Sequence, residues 1–340
     1  MYKLSKDDLS EYRRLIDSFK DKSIMVVGDL MVDQYMWGEV SRVSQEAPVP
    51  IVLINERSFR LGGACNVANN IATLGAHALP VGVVGEDYRA GLLRDMLVEH
   101  DIAPAGLIHD AERKTTMKTR VVARGQQIVR YDEESSEPLQ GGAKTKVLEF
   151  VKKTIDQVDA VVIEDYGKGV ICPDLTKEVL AIARERDKII SVDPKDEHFL
   201  LYKGVSVMTP NVHEVATFWG KRIKSFDELA DAARKLLEET HSDAILVTRG
   251  EQGMFLMPKV GEPVTIDTVA KEVYDVTGAG DTVIAVLTLA LCAGASMERA
   301  ARLANYAAGV VVSEIGAATV TAEALMASLA SDSEPGVGGQ

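Results

Sequence analysis

Short runs rich in Val and Ile recur along this chain at intervals that leave room for helices between them. Ile24-Met25-Val26-Val27-Gly28-Asp29 is the first. Leu79 to Val84, Ala160 to Ile163, Ile189 to Val192, Val205 to Met208 and Ala244 to Val247 follow, and Tyr88 to His100 is one of the helical stretches between them. A strand that is apolar on both faces has to be covered on both faces, and crossover helices between parallel strands do that covering. The alternation therefore predicts an α/β fold, a mostly parallel central sheet with helices on both sides. In such folds ligands lie beyond the carboxyl ends of the strands. The polar residues just past the predicted strands are thus the ones that chemistry would use: Asp29, Asp33, Asp165, Asp193, Asn211, Thr248 and Arg249.

Two segments break the rhythm. Residues 34–54 and 115–131 read as exposed β structure, and in the second Thr116, Lys118, Arg120, Val122 and Arg124 share one face by period 2, with Gly125 near a turn. They predict a small appended β-sheet, serving as a lid, an oligomer interface, or both. A strand edge left open there would seek cover, so a homodimer through paired lids is expected. Residues 1–330 are read as one domain. Ser331 to Gln340, rich in Ser, Gly and Pro, is read as a disordered tail.

Charge and cysteine usage narrow the function. A net charge of −13 speaks against a general nucleic-acid or anionic-membrane surface, while leaving room for a local basic pocket. The three cysteines, Cys65, Cys172 and Cys292, have neither zinc spacing nor a disulfide framework. The N-terminal residues have no apolar signal core, and no apolar run is long enough for a membrane span. Together these predict a cytoplasmic protein acting on small molecules.

Asp275-Val276-Thr277-Gly278-Ala279-Gly280-Asp281 runs directly into the apolar stretch Thr282 to Leu287. Gly278 and Gly280 let the backbone turn sharply and let a ligand approach it. The first-turn amides of the helix that follows form an anion site suited to phosphate oxygens. An aspartate at such a place repels an anion, so Asp281 is either a helix cap or a base that takes a proton from an attacking hydroxyl. A second glycine-led helix start, Leu61-Gly62-Gly63-Ala64-Cys65-Asn66, puts Asn66 in the first turn, where it either caps or meets sugar hydroxyls.

Gly62-Gly63 with Asn66 early, and Thr277-Gly278-Ala279-Gly280-Asp281 late, resemble the two signatures of the ribokinase-like carbohydrate kinases, the PfkB family. The resemblance covers nearly the whole chain. It implies a ribokinase-like fold, ATP as phosphoryl donor and Mg²⁺ as its companion. Gly28-Asp29-Leu30-Met31-Val32-Asp33 is similar to that family's first-strand sugar motif, placing Asp29 and Asp33 on the substrate side with Gly62, Gly63 and Asn66. Asn211-Val212-His213-Glu214 is similar to its Asn-x-x-Glu motif, which assigns Asn211 to the nucleotide and Glu214 to the metal and phosphates. Thr248, Arg249, Gly250 and Gly253 resemble its nucleotide-side turn, and Asn305 falls where the family lines the adenine pocket.

Asp281 then becomes the base, with the amides of Gly278, Ala279 and Gly280 facing the migrating phosphoryl group. Asp193, in Asp193-Pro194-Lys195, either touches Mg²⁺ or caps a turn. No P-loop motif is present. His198 and His213 have no metal-ligand partner pattern and are read as bystanders.

Trp37 to Pro50 and Glu164-Asp165-Tyr166-Gly167-Lys168-Gly169 resemble the heptose-7-phosphate kinase branch of the family. That implies a sugar-phosphate substrate, transfer to its anomeric 1-hydroxyl, and a place in lipopolysaccharide core synthesis. Arg42, Lys118, Arg120 and Lys168 are the candidates for holding the 7-phosphate. A fused second domain would need about another hundred residues after position 330, so the stand-alone form is expected. The competing expectations are a kinase of another sugar or nucleoside, and a non-catalytic protein that senses sugar phosphates.

Overall fold

The computed structural model describes residues 4–270, 276–313 and 318–333. Among the described residues, thirteen strands fall into two sheets. They are β1 (Ser23–Gly28), β2 (Leu30–Val43), β3 (Pro50–Gly63), β4 (His77–Val84), β5 (Gly106–His109), β6 (Thr116–Ala123), β7 (Gln126–Glu133), β8 (Ala160–Glu164), β9 (Ile189–Asp193), β10 (Val207–Met208), β11 (Ala244–Thr248), β12 (Met254–Pro258) and β13 (Val264–Ile266). The helices are α1 (Lys6–Asp17), α2 (Ala64–Thr73), α3 (Tyr88–Glu99), α4 (Gly141–Thr154), α5 (Pro173–Glu185), α6 (Val212–Trp219), α7 (Phe226–Thr240), α8 (Ala279–Cys292), α9 (Met297–Val311) and α10 (Ala322–Ser333).

The central sheet runs β13-β12-β11-β10-β9-β8-β1-β4-β5. It is parallel from β11 to β5, and β12 and β13 add an antiparallel edge. Both faces are buried, and successive strand residues serve opposite cores. Ile24, Val26, Ala160, Val162, Ala244 and Leu246 pack with α1, α2, α3, α8, α9 and α10. Met25, Val27, Val161, Ile163, Ile245 and Val247 pack with α4, α5, α6 and α7. This period-2 sorting is why the runs read as continuously apolar. The strand expected over 205–208 is shorter, Val207–Met208. α10 continues to Ser333, so residues 331–333, read as the start of a tail, are helical, and residues 334–340 lie outside the described ones.

The chain winds from β1 outward to β4 and β5, then returns to lay β8 on the other side of β1. The β1/β8 boundary is therefore the switch point of the sheet, and its carboxyl edge is where a doubly wound fold opens a crevice. Helix α8 is buried all round, from Asp281 to Ala290, and its N-terminus lies against that edge. A helix apolar on every face needs such a central position.

The predicted small sheet is present, in the order β3-β2-β6-β7. β2 pairs antiparallel with β3 and parallel with β6, and β6 turns into β7 through Arg124 and Gly125, both with positive φ. β3 ends at Gly62-Gly63, so the lid strand runs directly into α2 and the glycine pair joins the two.

Candidate active site

Two helix N-termini meet at the switch point. Gly278, at φ 80°, turns the chain into α8, and Gly63, at φ 54°, turns it into α2. A Cβ on Gly63 would lie 2.5 Å from the Asp29 carbonyl oxygen, so the turn there has no room for a side chain. The two helices are joined by polar contacts: Asn66 Nδ2 donates to Asp281 Oδ2 at 2.6 Å, and Thr282 Oγ1 donates to Asn70 Oδ1 at 2.8 Å. The other Asp281 oxygen accepts from the Tyr166 hydroxyl at 2.9 Å. Asp281 is thus buried and held by both oxygens. Burial pushes its carboxyl up to about 6, and the Asn66 and Tyr166 donors hold it from rising further.

The three amides expected to face a phosphoryl group are not equivalent. The Ala279 N–H turns back onto the Val276 carbonyl at 3.2 Å. Ala279 is therefore corrected from an amide donor to a lining residue. The Gly280 N–H has no acceptor among the described residues and lies in the first turn, where the helix dipole is positive. Asp275, at the start of the same motif, lies outside the described residues.

Asp29 is also corrected. Its carboxylate accepts the N–H groups of Tyr166, Lys168 and Val170 at 3.0, 3.0 and 3.2 Å. It anchors the loop after β8 instead of facing a sugar, and burial raises its carboxyl to about 6 despite the three donors. Asp165 braces the same loop through the Gly167 N–H at 2.8 Å and is itself held by His198 and Tyr202. His198, read as a bystander, is a buttress of the loop that presents Tyr166 and Lys168.

Glu164, Asp193 and Asp281 each offer a carboxylate oxygen within 4.8 Å of the others. Glu164 and Asp193 face each other across the β8/β9 register. Burial is the largest cause pushing both carboxyls well above the usual range, and neighbouring carboxylates add to it. Glu164 Oε2 is buried with no hydrogen-bond partner among the described residues. Three carboxylates in a shielded pocket need protons or a cation, and oxygen-only donors suit Mg²⁺. Asn211 and Glu214 form a capping box at the start of α6. The Glu214 N–H donates to Asn211 Oδ1 at 3.0 Å, and the Asn211 N–H donates to Glu214 Oε2 at 2.8 Å. That leaves Glu214 Oε1 for a metal-bound water or a phosphate, and the Glu214 charge is part of the field that raises Asp193.

On the nucleotide side, a cleft of about 570 Å³ is lined by Asn211, Thr248, Gly250, Gly253, Gly280 and Asn305 among others. Asn305 donates to the Asp267 carbonyl at 2.8 Å, which pins the cleft wall. A Cβ on Gly253 would lie 2.1 Å from the Ile266 carbonyl oxygen. Arg249 is not among the lining residues. Its guanidinium packs 5.3 Å from the Phe226 ring centre and donates to Gln252 Oε1, so it is corrected to a support of the turn.

On the sugar side, Asp33 Oδ2 lies over Gly62, 2.9 Å from where a Cβ would be. Asp33 Oδ1 accepts from Arg120 at 2.5 Å. Lys118 pairs with Asp132 and Glu134 at 3.0 and 3.2 Å, and Lys168 pairs with Glu134 at 2.8 Å. Lys118, Arg120 and Lys168 are thus brought together with Asp33. Arg42 is not. It stands exposed near the far end of β2, nine residues beyond Asp33, about 30 Å along an extended strand. It is corrected from substrate contact to the tip of the sheet.

The sequence reading missed Tyr166, Glu164 and Asn70 as partners in the site. For Tyr166 and Glu164 the available signal was their position at the end of β8.

The pfkB family carbohydrate kinase model matches residues 21–324. The chain is 39% identical over 323 residues to the bifunctional protein HldE of Syntrophotalea carbinolica, covering 95% of this chain and 66% of that protein. It is 42% identical over 302 residues to the bifunctional protein HldE of Helicobacter pylori strain J99, covering 89% and 65%. The chain therefore spans slightly less than two thirds of the length of these curated relatives. Phosphofructokinase-2 from Escherichia coli superposes with a TM-score of 0.77 at 17% identity, covering 92% of this chain and 100% of that one. Arabidopsis thaliana ribokinase, complexed with ribose and ATP, superposes with a TM-score of 0.73 at 20% identity, covering 91% and 98%. At those identities the likeness is one of fold, which is ribokinase-like. The chain belongs to the pfkB family of carbohydrate kinases, which are ATP-dependent enzymes.

Proposed function

We propose that the chain transfers the γ-phosphoryl group of ATP to the anomeric 1-hydroxyl of D-glycero-β-D-manno-heptose 7-phosphate, giving the 1,7-bisphosphate used for ADP-heptose and lipopolysaccharide core synthesis. The observation that carries a kinase reading is the buried Asp281 carboxylate at the N-terminus of α8, gripped by Asn66 and Tyr166. It lies between the nucleotide-side cleft and the inner face of the small sheet. What supports the heptose is the resemblance of Trp37 to Pro50 and Glu164 to Gly169, together with identities of about 40% to proteins named HldE.

In this reading ATP occupies the cleft with its base near Asn305 and its phosphates at Gly280, Asn211 and Glu214. Asp33 and Asn66 hold sugar hydroxyls. Asp281 accepts the proton of the 1-hydroxyl as that oxygen bonds to the γ-phosphorus and the bond to the ADP oxygen breaks. Tyr166 and Asn66 keep the base oriented, and the Gly280 N–H and the α8 dipole take up charge on the phosphoryl oxygens. Asp193, Glu214 and Glu164 would hold Mg²⁺, which supplies neutralisation of phosphate charge. Closure of the small sheet over the sugar excludes water as a competing acceptor. A second copy of the chain covers the outer face of that sheet, where Phe59, Val129 and Tyr131 are exposed.

An ATP-consumption screen over sugar phosphates, with NMR of the product to locate the new phosphate, tests the reading. The expected result is turnover of the heptose 7-phosphate with phosphate appearing on C1. Equal turnover of unphosphorylated heptose or ribose would overturn the acceptor, and binding of sugar phosphate without ATP consumption would overturn catalysis.

A further inference from the structure

Resting on the reading of this chain as a sugar-phosphate kinase, we propose that Arg113 is a positioning residue for the reaction. It clamps the root of the small sheet to the loop after β8 and so fixes Tyr166 against Asp281. Arg113 stands in the turn just before β6. Its guanidinium donates to three backbone carbonyls: Nη1 to Glu137 at 2.7 Å, and Nη2 to Ser135 at 3.1 Å and to Lys168 at 2.6 Å. Ser135 and Glu137 belong to the segment that follows β7, and Lys168 to the loop that follows β8. One side chain therefore joins both ends of the β6–β7 hairpin to the loop that carries Tyr166.

These three carbonyls lie outside helices and strands, so no ladder supplies their donors. The guanidinium does so with a rigid fork of five N–H groups, which reaches acceptors on two segments at once. A lysine brings a single nitrogen and a glutamine a shorter side chain, so neither spans the set.

The rest of the seam is tight. The Leu139 N–H donates to the Gly169 carbonyl at 2.8 Å, and a Cβ on Gly169 would lie 2.0 Å from the Glu137 carbonyl oxygen. The root also has a footing on α3. Asp87, which caps that helix, accepts the Thr115 N–H at 2.9 Å, and Arg89 pairs with Glu133 at the end of β7. From the central sheet, Asp29 holds the N–H groups of Tyr166, Lys168 and Val170. The loop is thus gripped through its amides by the central sheet and through the Lys168 carbonyl by the root of the small one. At the end of that grip the Tyr166 hydroxyl donates to Asp281 at 2.9 Å. A tilt of the hairpin about its footing moves Ser135 and Glu137, and Arg113 carries the movement into the loop. The pose of the small sheet is in this way coupled to the orientation of the base. Misplacing a reacting group by about 1 Å can cost about 10²-fold in rate.

The test is a double-mutant cycle on kcat at saturating ATP and sugar phosphate. It uses Arg113→Gln, Tyr166→Phe and the double variant, each assayed below its melting temperature. Tyr166→Phe is expected to lower kcat about 10- to 100-fold, in line with loss of a hydrogen bond to a charged group. Arg113→Gln is expected to lower kcat about 5- to 50-fold, while the Michaelis constant for ATP stays within about threefold. The double variant should fall within about threefold of Tyr166→Phe alone, because the route from Arg113 to the base is already cut. Arg113→Lys should recover part of the loss. Should Arg113→Gln fail to fold, Arg113→Lys takes its place in the cycle, with a loss of about fivefold. Losses that multiply in the double variant, or a kcat within about threefold of wild type in either single variant, overturn the inference and leave the kinase reading standing. A wild type inert toward every sugar phosphate overturns both.

Discussion

Asp281 faces two opposing requirements. To act as a base it must be ionised, yet it is buried beside Glu164 and Asp193, and burial raises its carboxyl to about 6. Asp281→Asn should lower kcat by about 10² to 10⁴, the range for loss of a general base, with the Michaelis constants for ATP and sugar within a few-fold of wild type. A variant retaining near wild-type kcat would remove Asp281 from the base role. The same substitution bears on stability. A carboxyl whose folded pKa is raised from 3.8 to about 6 contributes stability that is fully present below about pH 4 and is lost as pH rises through 6. Asn has no such loss. Without metal or nucleotide, the melting temperature of Asp281→Asn relative to wild type should therefore climb between pH 4 and pH 7, reaching an advantage of a few degrees. A constant difference across that window would show that Asp281 is not under electrostatic pressure.

At the scale of the element, the Asn211–Glu214 pair serves both a cap and a charge, and substitution separates the two. Asn211→Ala removes the acceptor for the Glu214 N–H and should cost about 1 kcal/mol, read from chemical denaturation. Glu214→Gln retains an oxygen that can accept the Asn211 N–H, so stability should change little while the Mg²⁺ concentration for half-maximal activity rises about tenfold or more. If Glu214→Gln left the metal requirement untouched, the motif would be a cap alone. The loop after β8 shows the same economy: the Asp29 carboxylate, just past the end of β1, ties down the segment that delivers Tyr166 to Asp281.

For the whole molecule, the small sheet has two unlike faces. The inner one carries Asp33, Tyr35 and the cations, and the outer one exposes Phe59, Val129 and Tyr131. An exposed apolar sheet face is costly for a lone chain, so the double variant Val129→Glu with Tyr131→Glu should sediment as a monomer where the wild type sediments as a dimer. A wild type monomeric at micromolar concentration would remove the paired-lid arrangement. Mg²⁺ with ATP should raise the melting temperature of the wild type by binding only the folded state. Asp193→Asn should blunt that rise, since Asp193 lies at the carboxylate cluster beside Gly280.

The sheet, its two helical layers and the two glycine-led helix starts were legible in the sequence, because strand period and helix entry are local properties. Ile24 and Val26 alternate with Met25 and Val27 whatever packs against them, and Gly62-Gly63 and Gly278-Ala279-Gly280 signal sharp turns without reference to the rest of the chain. The partners across the site were not legible, because they are contacts between residues far apart in sequence: Asn66 with Asp281, Tyr166 with Asp281, Arg120 with Asp33. Asp29 and Asp33 look alike as polar residues after the first strand, and only the folded chain turns one to backbone amides and the other to the sugar face. Arg42 and Arg60 look equally available, yet the hairpin between β2 and β3 carries one to the tip and folds the other back beside Asp33. Local sequence determined which elements form and which residues begin them. The tertiary structure decided which charges share a low-dielectric space, and that sharing sets Asp281, beside Glu164 and Asp193, apart from an ordinary helix cap.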